Sequence, residues 1–188
     1  MEILIIGLAL FVAAHLVPAR PALRAGLVER LGPVGYRAVF GLVSLAGFVL
    51  IVYGFGMARA QGVPVLYDPP PWTRHIAMLL MLFAFILIPA AYLPGRIKAT
   101  VKHPMITAVK TWALAHLLVN GDAASLVLFL TFLAWGVYDR ISLKRRPAPE
   151  SVRGSMRNDI LAVVIGVVLY AAFVWKLHLW LIGVPILT

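Results

Sequence analysis

The chain contains no cysteine, and that absence removes disulfides, thiolate metal sites, cysteine nucleophiles and covalent c-type haem attachment together. Charge is scarce as well. Only 13% of the 188 residues are Asp, Glu, Lys or Arg, against about a quarter in soluble chains. No internal repeat is visible, and no linker is long enough to divide the chain into domains. What is abundant is apolar surface: 62% of residues are hydrophobic and the mean hydropathy is +0.95. A soluble domain is excluded, and a polytopic membrane protein fits. The net charge of +10 could suggest nucleic acid. The basic residues instead sit in short loops between apolar runs, so topology explains them better and no nucleic-acid partner is expected.

Six apolar segments follow one another: Ile3–Val17, Val34–Met57, Trp72–Tyr92, Pro104–Val119, Ala123–Val137 and Ile160–Val184. The predicted fold is an all-α polytopic helical bundle of about six transmembrane helices, a single domain over residues 1–188 embedded in the lipid bilayer. A span ordinarily takes about 20 residues, so the first, fourth and fifth segments are short. Arg20, Arg24, Arg30 and Arg37 fill the first loop, Arg96, Lys98 and Lys102 the third, and Arg140, Lys144, Arg145, Arg146, Arg153 and Arg157 the fifth. Arg59 and Arg74 alone occupy the second, which places the odd loops in the cytoplasm and both termini outside, in the periplasm. Met1–Val17 resembles a signal peptide, but Glu2 is its only charge and basic residues follow it, as for a retained helix.

Local signals refine the map. Pro104 can open its helix, and Asn120-Gly121-Asp122 is a tight-turn sequence that makes Pro104–Val137 a predicted helical hairpin. Pro69-Pro70-Pro71 holds the second loop extended. Trp72, Trp135, Trp175 and Trp180 lie near segment ends, where indoles favour the interface. Pro21–Leu31 alternates arginines with leucines at helical spacing, as expected of a helix on the cytoplasmic surface.

The candidates for chemistry are the five histidines. His75 and His178 lie near membrane boundaries without polar neighbours in sequence, as interfacial residues do. His15 and His116 lie inside apolar runs, where an ionisable side chain is costly and faces a cavity, partner or cofactor. A hydrogen bond to a neighbouring backbone carbonyl would account for either as structure. Two neutral imidazoles from different helices are also what a b-type haem requires, whereas zinc asks for at least three protein ligands. Four-residue spacing sets Trp112, His116 and Asn120 on one face, and Asn120 also suits a turn cap. His103 and Lys110, seven apart, form a cationic patch for a haem propionate or an anionic ligand, or a lysine that snorkels to headgroups.

Several separated motifs resemble the NnrU family. They are Ala14-His15-Leu16, Gly35-Tyr36-Arg37, Ser44-Leu45, His103-Pro104-Met105, Trp112 to Leu118 and Asn120-Gly121-Asp122, which together span most of the chain. The resemblance implies a multi-pass protein of the bacterial cytoplasmic membrane, associated with denitrification and nitrogen-oxide metabolism. The same domain is similar to 15-cis-zeta-carotene isomerase, a membrane haem b enzyme, which implies haem b here and a redox-dependent isomerisation. In that isomerase the ligating histidines occupy the positions of His15 and His116. Arg37, His103, Trp112, Asn120 and Lys110 join them as cofactor-binding candidates. Ala113 stands where the isomerase has cysteine, so thiol-dependent ligand exchange does not carry over. The substrate such a site would take is hydrophobic or a small molecule.

Counting from the segment ends at 1.5 Å per residue sets His15 and His116 about 15 Å apart in depth. Two ligands of one iron share a level, so either the first helix continues past Pro18 or His103 replaces His116; the resemblance favours His116. Two other classes stand beside this one. His103-Pro104 before a short hairpin is similar to isoprenylcysteine methyltransferases, whose paired downstream glutamates are missing: after His116 the acidic residues are Asp122, Asp139, Glu150 and Asp159. A non-enzymatic scaffold would leave every histidine structural.

Overall fold

A computed structural model describes residues 1–145 and 154–187. Arg146, Glu150 and Arg153, named above, lie outside them. Every expected segment is helical: α1 (Glu2–Leu16), α2 (Pro21–Ala60), α3 (Thr73–Tyr92), α4 (Arg96–Val101), α5 (Pro104–Leu117), α6 (Ala123–Lys144) and α7 (Met156–Ala172). After α7 a π-helical turn (Phe173–Leu177) leads into α8 (His178–Ile182). Among the described residues four stretches are long and apolar enough to cross a membrane: α2, α3, α6 and the run Met156–Ile182. α1 is apolar but shorter, at 15 residues.

Two compact units divide the chain, one from Met1–Pro69 and the chain from Asn120 through α6, the other from Pro70–Val119 and α7 onward. α5 packs on α3 and α6 on α1 and α2, so each helix beside the Asn120 turn has partners in its own unit.

In the first unit α1 and α2 lie backbone to backbone, because glycine stands wherever the two cross closely. A β-carbon on Gly7 would come within 2.6 Å of the Ile51 nitrogen, and one on Gly47 within 2.8 Å of the Phe11 nitrogen. Such small-residue seams let apolar helices associate in lipid, where burial of oily side chains gives no net drive. α1 stops at Leu16. Val17 N–H bonds Ala14 C=O at 3.2 Å and Arg20 N–H bonds Val17 C=O at 3.0 Å, so the helix does not continue past Pro18. α2 then bends at Gly32, whose φ of 69° and ψ of 165° are not helical. Glycine bears that backbone without a Cβ penalty, and Pro33 after it has no N–H to continue the ladder. The expected surface segment Pro21–Leu31 is therefore a helix of its own, set off from the span that follows.

The far end of this unit is closed by backbone hydrogen bonds. Leu66 N–H donates to Gly121 C=O at 2.8 Å and Ala123 N–H to Pro64 C=O at 3.0 Å. The Tyr67 hydroxyl donates to Asn120 C=O at 2.9 Å. Gly121 makes room for the Tyr67 carbonyl, which any β-carbon would strike. Asp122 caps α6, accepting from Ser125 N–H at 2.9 Å and Ser125 Oγ at 2.6 Å.

Burial first, and then the Asp122 carboxylate, hold the Tyr67 phenol above its ordinary value. The folded loop thus favours the neutral phenol. Its contribution is complete below the unfolded pKa of about 10 and is lost as pH rises through the higher folded value. Hydrogen exchange at the Leu66 amide should show the loop opening at alkaline pH. Tyr67→Phe should abolish that alkaline step while costing only about 1 kcal/mol at neutral pH; an unchanged alkaline step would exclude Tyr67 as its source.

In the second unit α3 runs against α5 and α7, with Gly166 fitted against the Ile86 backbone, and Phe85 against Tyr170 and Phe173. The start of α7 grips the start of α4. Asp159 accepts from the Arg96 and Ile97 amides, each at 3.0 Å, and Asn158 Nδ2 donates to Pro94 C=O at 2.9 Å. Lys98 Nζ donates to Ala91 C=O at 2.7 Å, satisfying the end of α3.

Candidate functional site

His15 and His116 share one local arrangement. Each lies one turn after an aromatic residue, and each imidazole holds the backbone carbonyl of that residue through Nδ1 at 2.8 Å: Phe11 for His15, Trp112 for His116. With Nδ1 as donor, the neutral ring carries its lone pair on Nε2. Metal-binding histidines are set up in this way, the second nitrogen fixed by a carbonyl so that tautomer and ring orientation are decided in advance. The same bond satisfies the histidine as a purely structural residue, so the arrangement permits ligation without requiring it.

Aromatic rings enclose His15 within its unit. Phe11 stacks on it at 4.1 Å, the Phe40 ring centre is 5.3 Å away, and Trp135 stands edge-on at 5.5 Å and 86°. Trp135 Nε1 and Ser44 Oγ are shut off from solvent in this unit without a hydrogen-bond partner among the described residues. In the same unit α1 and α6 leave an apolar groove of about 340 Å³ lined by residues such as Leu8, Val12, Leu16 and Thr131.

In the second unit the Trp112 ring lies 5.3 Å from His116. His178 is close enough for the two imidazoles to interact electrostatically, and its own Nδ1 holds Val184 C=O at 2.8 Å. Sequence reading took His178 for an interfacial residue without company. Nothing in the spacing joins it to His116, 62 positions earlier.

The remaining candidates are placed as follows. His103 opens α5, its carbonyl accepting from both the amide and the hydroxyl of Thr107 at 3.1 Å. Lys110 lies on α5 and makes no hydrogen bond or ion pair among the described residues, so it forms no bonded patch with His103. Asn120 is not on the face of Trp112 and His116, because α5 ends at Leu117; it lies in the turn that belongs to the first unit. Asp122, rather than Asn120, is the residue whose side chain caps that turn's helix. Arg37 is exposed on α2 beside the buried Tyr36. Among the described residues no three His, Asp or Glu gather as a caged metal would need. A haem draws on the protein for only two nitrogens, and the donor chemistry of each histidine, a neutral imidazole with its Nδ1 held by a carbonyl, is of the kind that would supply one.

The family described as NnrU protein matches residues 3–186, and the chain belongs to it. No curated protein and no solved structure matches the chain.

Proposed function

We propose that this member of the NnrU family is a six-span protein of the bacterial inner membrane that binds haem b, held by His15 and by His116, the position the family resemblance favours; because α1 ends at Leu16, the depth count leaves His103 as the alternative to His116. Its role on this reading is redox-linked, in isomerisation of a hydrophobic substrate or in nitrogen-oxide metabolism. The observation that carries the reading is the shared imidazole geometry: two histidines in apolar helices, each with Nδ1 tied at 2.8 Å to the carbonyl one turn back. Aromatic rings stand beside each histidine in its own unit, Phe11 and Trp135 at His15 and Trp112 at His116.

Charge in the first unit supports the orientation. The end with the α1–α2 turn carries Arg20, Arg24, Arg30 and Arg37, together with Lys144 and Arg145 from the end of α6. The opposite end carries Glu2, Asp68 and Asp122 with Arg59. Basic ends stay in the cytoplasm, which sets the N-terminus outside. Bound haem would supply a one-electron couple, with the proposed histidines as the residues that would hold it.

The test is the spectrum of protein purified in mild detergent after expression with ample haem. Sharp α and β bands on dithionite reduction are expected, from one haem per chain. A colourless preparation would sink the haem assignment.

A further inference from the structure

Independently of the haem reading, we infer that Pro21–Leu31 is a binding surface for anionic phospholipid headgroups, held at a set angle by the bend at Gly32. On this helical segment Leu23, Leu27 and Leu31 recur every four residues and so form one stripe. Arg24 and Arg30 flank the stripe, and Arg20 precedes it. Glu29, its sole acid, lies on the other side. Leu23 and Leu31 are 46% and 44% exposed, and all three arginines are exposed. Exposed leucines between arginines suit an interface, where stems and apolar side chains enter the acyl boundary while guanidinium groups meet phosphate.

Three observations identify the occupant. A groove of about 200 Å³ lies between Ala22, Leu23, Gly26, Leu27 and Arg30, an apolar seat with one guanidinium at its edge. That composition matches an acyl chain bearing a phosphate. The charge of the neighbourhood is of one sign: the Ser142 hydroxyl donates to Ala19 C=O at 2.7 Å, which brings the end of α6, with exposed Lys144 and Arg145, to the turn that opens the segment. Finally, the bend is fastened. The Arg24 guanidinium lies 5.7 Å over the Tyr36 ring, a cation–π contact from one side of Gly32 to the other. A helix leaving its span at a fixed angle, with apolar stripe and arginines together, is built to lie along a headgroup layer.

Thermal unfolding of the full chain in neutral detergent tests this, with phosphatidylglycerol or phosphatidylcholine added. Phosphatidylglycerol should raise the midpoint more than phosphatidylcholine, and added salt should erase the difference. Arg20→Gln and Arg30→Gln should each weaken the apparent phosphatidylglycerol affinity, by about fivefold per arginine. Arg59→Gln, at the other end of the unit, should leave it unchanged. Should a variant fail to fold, a nitroxide on Ala25→Cys reports in its place, since the chain has no other thiol. Its depth should settle at the headgroups in vesicles containing phosphatidylglycerol and not in pure phosphatidylcholine. Equal response to the two lipids, arginine variants that behave as wild type, or the same stabilisation by inorganic phosphate alone would overturn the proposal.

Discussion

Gly47→Val should abolish recovery of folded protein, whereas Gly41→Val on the same helix should leave it near wild type. The difference lies in what a side chain meets. At Gly47 a β-carbon falls 2.8 Å from the Phe11 nitrogen and 3.0 Å from its Cα, and backbone cannot swing aside as a flexible side chain can. At Gly41 nothing lies within 4 Å. Both substitutions carry the same intrinsic helix cost, so propensity cancels in the comparison. Overpacking ordinarily costs about 1–3 kcal/mol, and here two methyls and the loss of neighbouring close contacts at Gly7 and Gly54 put the effect at or above the top of that range. Size-exclusion profiles and melting temperatures in detergent would measure it. Equal behaviour of the two variants would mean that the α1–α2 seam does not hold the first unit together.

Asp159→Ala should be the most damaging single change outside the helix seams. One carboxylate receives the Arg96 and Ile97 amides at 3.0 Å, so its loss leaves two donors at the start of α4 without their acceptor. Hydrogen bonds to a charged acceptor are worth about 1.5–3 kcal/mol apiece, and partial exposure of this site brings the expected total to about 2–3 kcal/mol. Asp159→Asn keeps one acceptor oxygen and should recover part of that. Limited proteolysis between Leu93 and Lys102 would report the loosening directly. Wild-type resistance in Asp159→Ala would show that Asn158 and the Ser155 amide, both bonded to Pro94, suffice to hold the segment.

Much of the secondary structure was legible because the bilayer makes simple demands. Apolar runs of the right length become helices, and Pro104 and Asp122 stand where a helix can begin. The helical character of Pro21–Leu31 was legible from its spacing, and the structure ends it at the bend of Gly32 and Pro33. Which helix packs on which was not legible. In lipid every face of a helix is apolar, so periodicity no longer marks the buried side, and the close approaches depend on glycines with no pattern specific to their partners. The Asn120 turn was recognised, yet a turn fixes only the chain's change of direction, while contacts with α3 and with α1 decide where α5 and α6 belong.

The candidate site divides in the same way. His15 and His116 stood out because histidine in an apolar run is rare and costly. Their tautomer was invisible, since it depends on backbone carbonyls that exist only once Phe11 and Trp112 stand one helical turn away. Asn120 was misplaced onto the α5 face because α5 stops at Leu117, earlier than the apolar run does. The neighbourhood of His116 and His178, like the grip of Asp159 on α4, spans about 60 residues and had no local signal.

The haem content and low-spin electron paramagnetic resonance signal of four alanine variants test the central claim most directly. His15→Ala and His116→Ala should each lose the bis-imidazole signal and most of the haem, with added imidazole restoring the signal. His103→Ala and His178→Ala should keep both. Retention of the wild-type signal in His15→Ala or His116→Ala, or its loss in His103→Ala or His178→Ala instead, would contradict the ligand assignment.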